Sequence, residues 1–157
     1  MFKNMTLFAV LMSPCVAAYA AVIPENISPS SIVTEDFDVS VITDLAYPVC
    51  TWNLGDNKKE NFYHFVEGEM CPAGGERCTY SGVMKLNGKI AILKQLSSDN
   101  GTSVFKNDNT TIITTLTPIK NPKAEVGSEE ESDFNAVVVI KTSRGEKKLE
   151  MTGFCSI

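Results

Sequence analysis

The chain has one histidine and one tryptophan, and it contains no Cys-x-x-Cys and no Gly-x-Ser-x-Gly. Each scarcity excludes something. A Ser-His-Asp or Cys-His hydrolase must use His64 as its base, and no nucleophile elbow surrounds any serine. Zinc finds neither a paired-cysteine knuckle nor a second imidazole. Gly74-Gly75 has no Lys-Ser/Thr behind it and opens no helix, so no phosphate cradle is expected. Basic residues are also in deficit, 14 against 19 acidic, a formal net charge of −5. Nucleic-acid binding needs clustered Lys and Arg and is not expected. No segment shows a helical period of useful length.

The first twenty residues, MFKNMTLFAVLMSPCVAAYA, read as an export signal. Lys3 supplies the positive region, Met5 to Met12 the apolar run, and Ala18-Tyr19-Ala20 the small residues read by the peptidase, which places cleavage after Ala20. The run is too short for a stable bilayer anchor, so no transmembrane segment is expected in the mature chain. Lipidation at Cys15 is the rival reading, but Pro14 fits that cleavage poorly. Losing Lys3 takes the 14 basic residues to 13 against 19 acidic, a net −6. The expected destination is secreted or periplasmic, where thiols pair.

Residues 21–36 carry Pro24, Pro29 and a serine cluster and read as an extended, poorly ordered arm. From 37 to 157 one domain is expected. Phe37 to Leu45 alternates as a strand, and Val49 to Leu54 repeats the alternation after Pro48. Asn61 to Val66, Cys78 to Leu86, Ile90 to Leu96, Val104-Phe105, Thr110 to Leu116, Phe134 to Thr142 and Lys147 to Cys155 follow, with turn residues between them. Asn87-Gly88 between two apolar runs is the strongest hairpin signal, because a type I′ turn needs positive φ at both central residues. The fold expected is all-β, a small antiparallel barrel or sandwich of about eight short strands, tied by disulfides.

With Cys15 removed, Cys50, Cys71, Cys78 and Cys155 remain, and four cysteines allow three pairings. Cys71–Cys78 is favoured because Pro72-Ala73-Gly74-Gly75 can close a small loop. Cys50–Cys155 is favoured because it ties an early strand to the last, as barrel closure requires. Cys50–Cys78 with Cys71–Cys155 stays open. No metal site, cofactor or catalytic residue is expected.

His64 next to Glu67 or Glu69 is the one candidate base, and a half-exposed strand histidine is the plainer reading. The aromatics Tyr47, Trp52, Phe62, Tyr63, Phe65 and Tyr80 read as core before they read as the floor of a ligand pocket. Residues 125–133, EVGSEEESD, are the clearest charge feature. They lack the spacing of an EF-hand loop, and a solvated loop is the simpler account. Asn26, Asn100 and Asn109 head glycosylation sequons, which matter only in a eukaryotic secretory pathway.

Residues 92–107, ILKQLSSDNGTSVFKN, resemble the central strand–loop–strand of the membrane-bound/periplasmic C-type-lysozyme inhibitor family. The resemblance implies a small, secreted, disulfide-tied β-barrel whose Ser-Gly loop enters the lysozyme cleft. Here Asp99-Asn100 separates Ser98 from Gly101, and Val104-Phe105 stands where a small-basic-aromatic end is expected. The function expected is a non-enzymatic domain that binds another macromolecule through exposed loops, its partner a basic extracellular or periplasmic protein. The candidate contact residues are Ser97, Ser98, Gly101, Ser103, Glu129, Glu130 and Glu131. A fimbrial-type subunit, with the arm as donor strand, is the structural alternative.

Overall fold

Closure of the sheet follows from how strictly each strand pairs with its neighbours along the chain. The computed structural model describes residues 31–55, 59–74, 77–119 and 132–156; the leader, most of the arm and Glu129, Glu130 and Glu131 lie outside the described residues. The strands are β1 (Thr34–Glu35), β2 (Phe37–Asp38), β3 (Leu45–Asn53), β4 (Phe62–Tyr63), β5 (Phe65–Met70), β6 (Thr79–Leu86), β7 (Lys89–Asp99), β8 (Thr102–Lys106), β9 (Thr110–Pro118), β10 (Ser132–Thr142) and β11 (Gly145–Cys155). Eight of them run in the order β3-β5-β6-β7-β8-β9-β10-β11, every pair antiparallel, and β11 returns to β3. The result is a closed up-and-down barrel, not a sandwich, and closure leaves no long unpaired edge.

The turn chemistry is where the alternation placed it. Asn87 and Gly88 have φ of 50° and 76°, the two positive values of a type I′ hairpin, between partners Leu86 and Lys89. Asn100 and Gly101, at 48° and 73°, repeat that turn between Asp99 and Thr102. Asn107 closes β8 to β9 differently: its side-chain oxygen accepts from the N–H groups of Asn109 (3.1 Å) and Thr110 (2.9 Å).

One strand expectation is corrected. Phe37 to Leu45 alternates, yet between Phe37 and Asp44 only Phe37–Asp38 is strand, Val39–Val41 forms a 3-10 turn, and Leu45 already begins β3. The Asp38 carboxylate accepts from the Ser40 N–H at 2.9 Å, a local bond that competes with sheet pairing. The segment covers the barrel from outside instead. Phe37, with Val39, Ile42 and Leu45, packs on Val66, Met70 and Val83, so β5 and β6 are buried on both faces. Pro48 sits within β3 at a register shift against β5, one of the places where a strand tolerates a missing donor.

The main core fills the barrel: Trp52, Phe65, Met84, Leu93, Phe105, Ile112, Val138, Ile140 and Met151 point inward at alternate positions. Residues 31–35 are extended, as expected of the arm, but they dock. Ile32, 2% exposed, joins the interior cluster. Val33 and Asn87 exchange two hydrogen bonds, and Lys147 Nζ donates to the Ile32 carbonyl at 2.9 Å. Thr34 and Glu35 pair with Leu86 and Lys85 of β6, adding an ion pair between Lys85 and Glu35. The end of the barrel where β6–β7 and β10–β11 turn is therefore plugged by the chain itself.

Cys50–Cys155 and Cys71–Cys78 are the disulfides, the favoured pairing of the three. Cys50 and Cys155 are register partners across the β3–β11 seam, so the bond locks the last strand to the first of the barrel. Among the described residues no helix is long and apolar enough to cross a membrane.

Candidate binding site at the open end of the barrel

The opposite end, where β7 turns into β8, holds a cavity of about 360 Å³ that is open among the described residues. Glu67 of β5, Tyr80 of β6, Gln95 and Ser98 of β7, and Ser103 of β8 supply its polar lining. Val49, Leu116 and Phe134 supply apolar wall, with the Cys50–Cys155 bridge between them. Beneath lie the large side chains of the core. Phe65 and Phe105 meet edge to face at 5.7 Å, and Tyr80 stacks on Phe105 at 6.4 Å. Gly82 makes room for that layer, since a Cβ there would stand 2.7 Å from the Phe65 ring.

Glu67 is the chemically distinctive group. It is 3% exposed, and it is the one buried ionisable side chain among the described residues. It faces inward because it shares the parity of Phe65 along β5, opposite Cys50 and Gly82. Trp52 Nε1 donates to its Oε1 at 3.2 Å, and the Tyr80 hydroxyl donates to the same carboxyl. These two donors favour the charged form, but burial outweighs them and lifts the pKa to about 7. Among the described residues no Lys, Arg or His lines the cavity around it. Tyr80 is shifted well above the usual phenol range, first by burial and then by the neighbouring carboxylate.

A bulge arranges the rest. In β7 the register slips between Gln95 and Ser97. Without the extra residue the alternation would carry Gln95 and Ser97 inward and Ser98 outward. With it, Gln95 and Ser98 both line the cavity, and Ser97 and the 60% exposed Leu96 face away. Gln95 Nε2 donates to Ser103 Oγ at 3.4 Å, and Ser103 Oγ donates to Ser98 Oγ at 3.0 Å.

Of the sequence candidates, Ser98 and Ser103 thus belong to the cavity, as paired strand residues and not as a free loop. Gly101 is the hairpin tip beside it, its neighbour Thr102 pairing with Thr115. His64 turns elsewhere: its Nδ1 accepts from the Leu54 N–H at 3.3 Å and lies 3.2 Å from Asn53 Oδ1, so it does not act on Glu67. Burial lowers its pKa, against an opposing pull from Asp36. Glu69 lies close to the sulfurs of Cys71 and Cys78, but sulfurs bonded to each other are not thiolate ligands. Trp52 and Phe65 are core, as expected, with Tyr80 packed against them, but Tyr47 is 59% exposed and Phe62 and Tyr63 are only half-buried; Trp52 and Tyr80 also hold Glu67.

Glu67, Gln95 and Tyr80 as a polar set were not visible in the sequence as a site. The signal available was an acid at a position of the same parity as Phe65, but Glu69 shares that parity while Val66, Gly68 and Met70 share the other, so alternation alone pointed to the opposite face as interior. Comparison with protein-family models, with curated proteins and with solved structures returns no match.

Proposed function

We propose that this chain is an exported, non-enzymatic binding protein, and that it engages a basic partner protein with the open end of its barrel. The observation that carries this reading is a cavity with an inward carboxyl that has hydrogen-bond donors but, among the described residues, no cation. Such a concave site with a few convergent polar groups is the usual form of a recognition site at a barrel mouth. A net charge of −5 suits a basic partner. Two disulfides suit an oxidising compartment, secreted or periplasmic. His64, engaged by Asn53 and Leu54, offers no base for turnover.

The lysozyme-inhibitor-like form of this reading rests on Ser98 and Gly101 standing on the β7–β8 hairpin at the rim. Lysozyme is accordingly the first partner to test. Mature protein from Ala21 is expected to bind immobilised lysozyme and to slow cell-wall lysis in a dose-dependent way. Unchanged lysis and no retention at large molar excess would remove lysozyme as the partner. Glu129, Glu130 and Glu131 serve in this reading as steering charges. Their triple change to Gln is expected to slow association and flatten its salt dependence while leaving the melting temperature in place.

A further inference from the structure

We propose that the barrel mouth is a socket for one lysine side chain of the partner, with Glu67 as counter-charge and the β7–β8 serines as the surrounding acceptors. The inference rests on the binding reading above and names the group that is bound.

Shape and chemistry converge on that occupant. The cavity is open at one end and about 360 Å³, room for an extended alkyl stem with a compact head. Val49, Leu116 and Phe134 offer apolar wall to the stem, and the inner end offers oxygen. A lysine side chain buries its stem on apolar surface and keeps its head on polar groups in this way. Ammonium is preferred to guanidinium on geometric grounds. A bidentate arginine needs one lone pair from each carboxylate oxygen in one plane, and Trp52 Nε1 and the Tyr80 hydroxyl already take two of the four that Glu67 has. An ammonium is a point charge with three rotatable donors, suited to one lone pair from Glu67 and others from Ser98 and Ser103. The bulge after Gln95, which turns Ser98 inward, sets those acceptors in place.

Trp52, the single tryptophan, donates its indole N–H to Glu67 and therefore reports on the socket directly. The experiment is a titration of the mature protein with Nα-acetyl-lysine methylamide at pH 8, followed by the indole N–H resonance and tryptophan fluorescence. A saturable shift is expected, with a dissociation constant of roughly 1–10 mM for so small a probe. The norleucine analogue, which has the stem without the charge, should give none, and the arginine analogue should bind more weakly. Glu67→Gln should lose at least about tenfold. Ser98→Lys, at an exposed rim position that folding tolerates, should abolish the response by filling the socket from within. No saturable shift up to about 50 mM, an equal response to norleucine, tighter binding of arginine, or an undiminished response in both variants would overturn the proposal. A lysine response without lysozyme binding would leave the socket standing and remove only that partner; lysozyme binding undiminished by Glu67→Gln would keep the partner and remove the socket.

Discussion

At the scale of single residues, Glu67 governs the pH response. Its pKa is raised, so between its ordinary value of 4.5 and about 7 the folded chain keeps a proton that the unfolded chain releases. The stability tied to that proton is whole below 4.5 and is lost as pH rises through about 7, up to about 3 kcal/mol. Glu67→Gln keeps an acceptor for Trp52 and Tyr80 without the ionisation. It should stabilise the barrel at pH 8 and remove the fall in denaturant midpoint between pH 5 and pH 8. His64 acts in the opposite sense, since its lowered pKa makes protonation on acidification destabilising. Its weaker upward trend with pH should emerge in the Glu67→Gln variant. Thr114 presents a second case. Its hydroxyl is buried in the barrel with no hydrogen-bond partner among the described residues, so Thr114→Val exchanges an unsatisfied group for a methyl of the same shape. Thermal unfolding should show a gain of about 1 kcal/mol.

At the scale of elements, the two kinds of glycine separate local strain from close packing. Gly88 has φ of 76° and open space around it, so Gly88→Val meets only the penalty of a left-handed backbone, about 1–2 kcal/mol. Gly153 of β11 lies on β3, where a Cβ would run into the Thr51 carbonyl oxygen and stand 2.7 Å from the Trp52 ring. Gly153→Ala must part the β3–β11 seam and should cost more than Gly88→Val, read as a lower denaturant midpoint. It should also disturb the indole N–H of Trp52, which Gly88→Val should leave in place.

The hairpin at Asn87-Gly88 was legible from sequence because its conformation is dictated within two residues, whereas 97–103 read as an exposed loop and is a second hairpin. The stretch from Phe37 to Leu45 misled for the opposite reason. Its alternation is real, but an alternating apolar set serves equally well to cover the outside of a sheet, and the bond from Ser40 N–H to Asp38 turns the chain before it can pair.

At the scale of the molecule, the barrel has two unlike ends. One is plugged by Ile32 and strapped by Asn87 and Lys147; the other, among the described residues, is open above Glu67. The disulfides differ in leverage as well. Cys50–Cys155 spans a sequence separation of 105 and Cys71–Cys78 one of 7. On chain entropy the first is worth about 5 kcal/mol and the second about 2. Cys50→Ala with Cys155→Ala should therefore lower the unfolding midpoint much further than Cys71→Ala with Cys78→Ala. The long link also forms a wall of the cavity, so its loss should change the Trp52 signal in the folded protein.

Local chemistry determined the all-β class, the type I′ turn at Asn87-Gly88 and the restriction of the disulfides to a few pairings, because each depends on neighbours in the chain or on a count. The tertiary structure decided barrel over sandwich, since that choice rests on β11 pairing with β3, a contact between segments a hundred residues apart. It also decided which acid mattered. Nineteen carboxylates are equivalent in a list, and Glu67 is set apart only when the closed sheet takes water from it, a bulge turns Ser98 toward the same cavity, and Trp52 and Tyr80 arrive from two other strands to hold it.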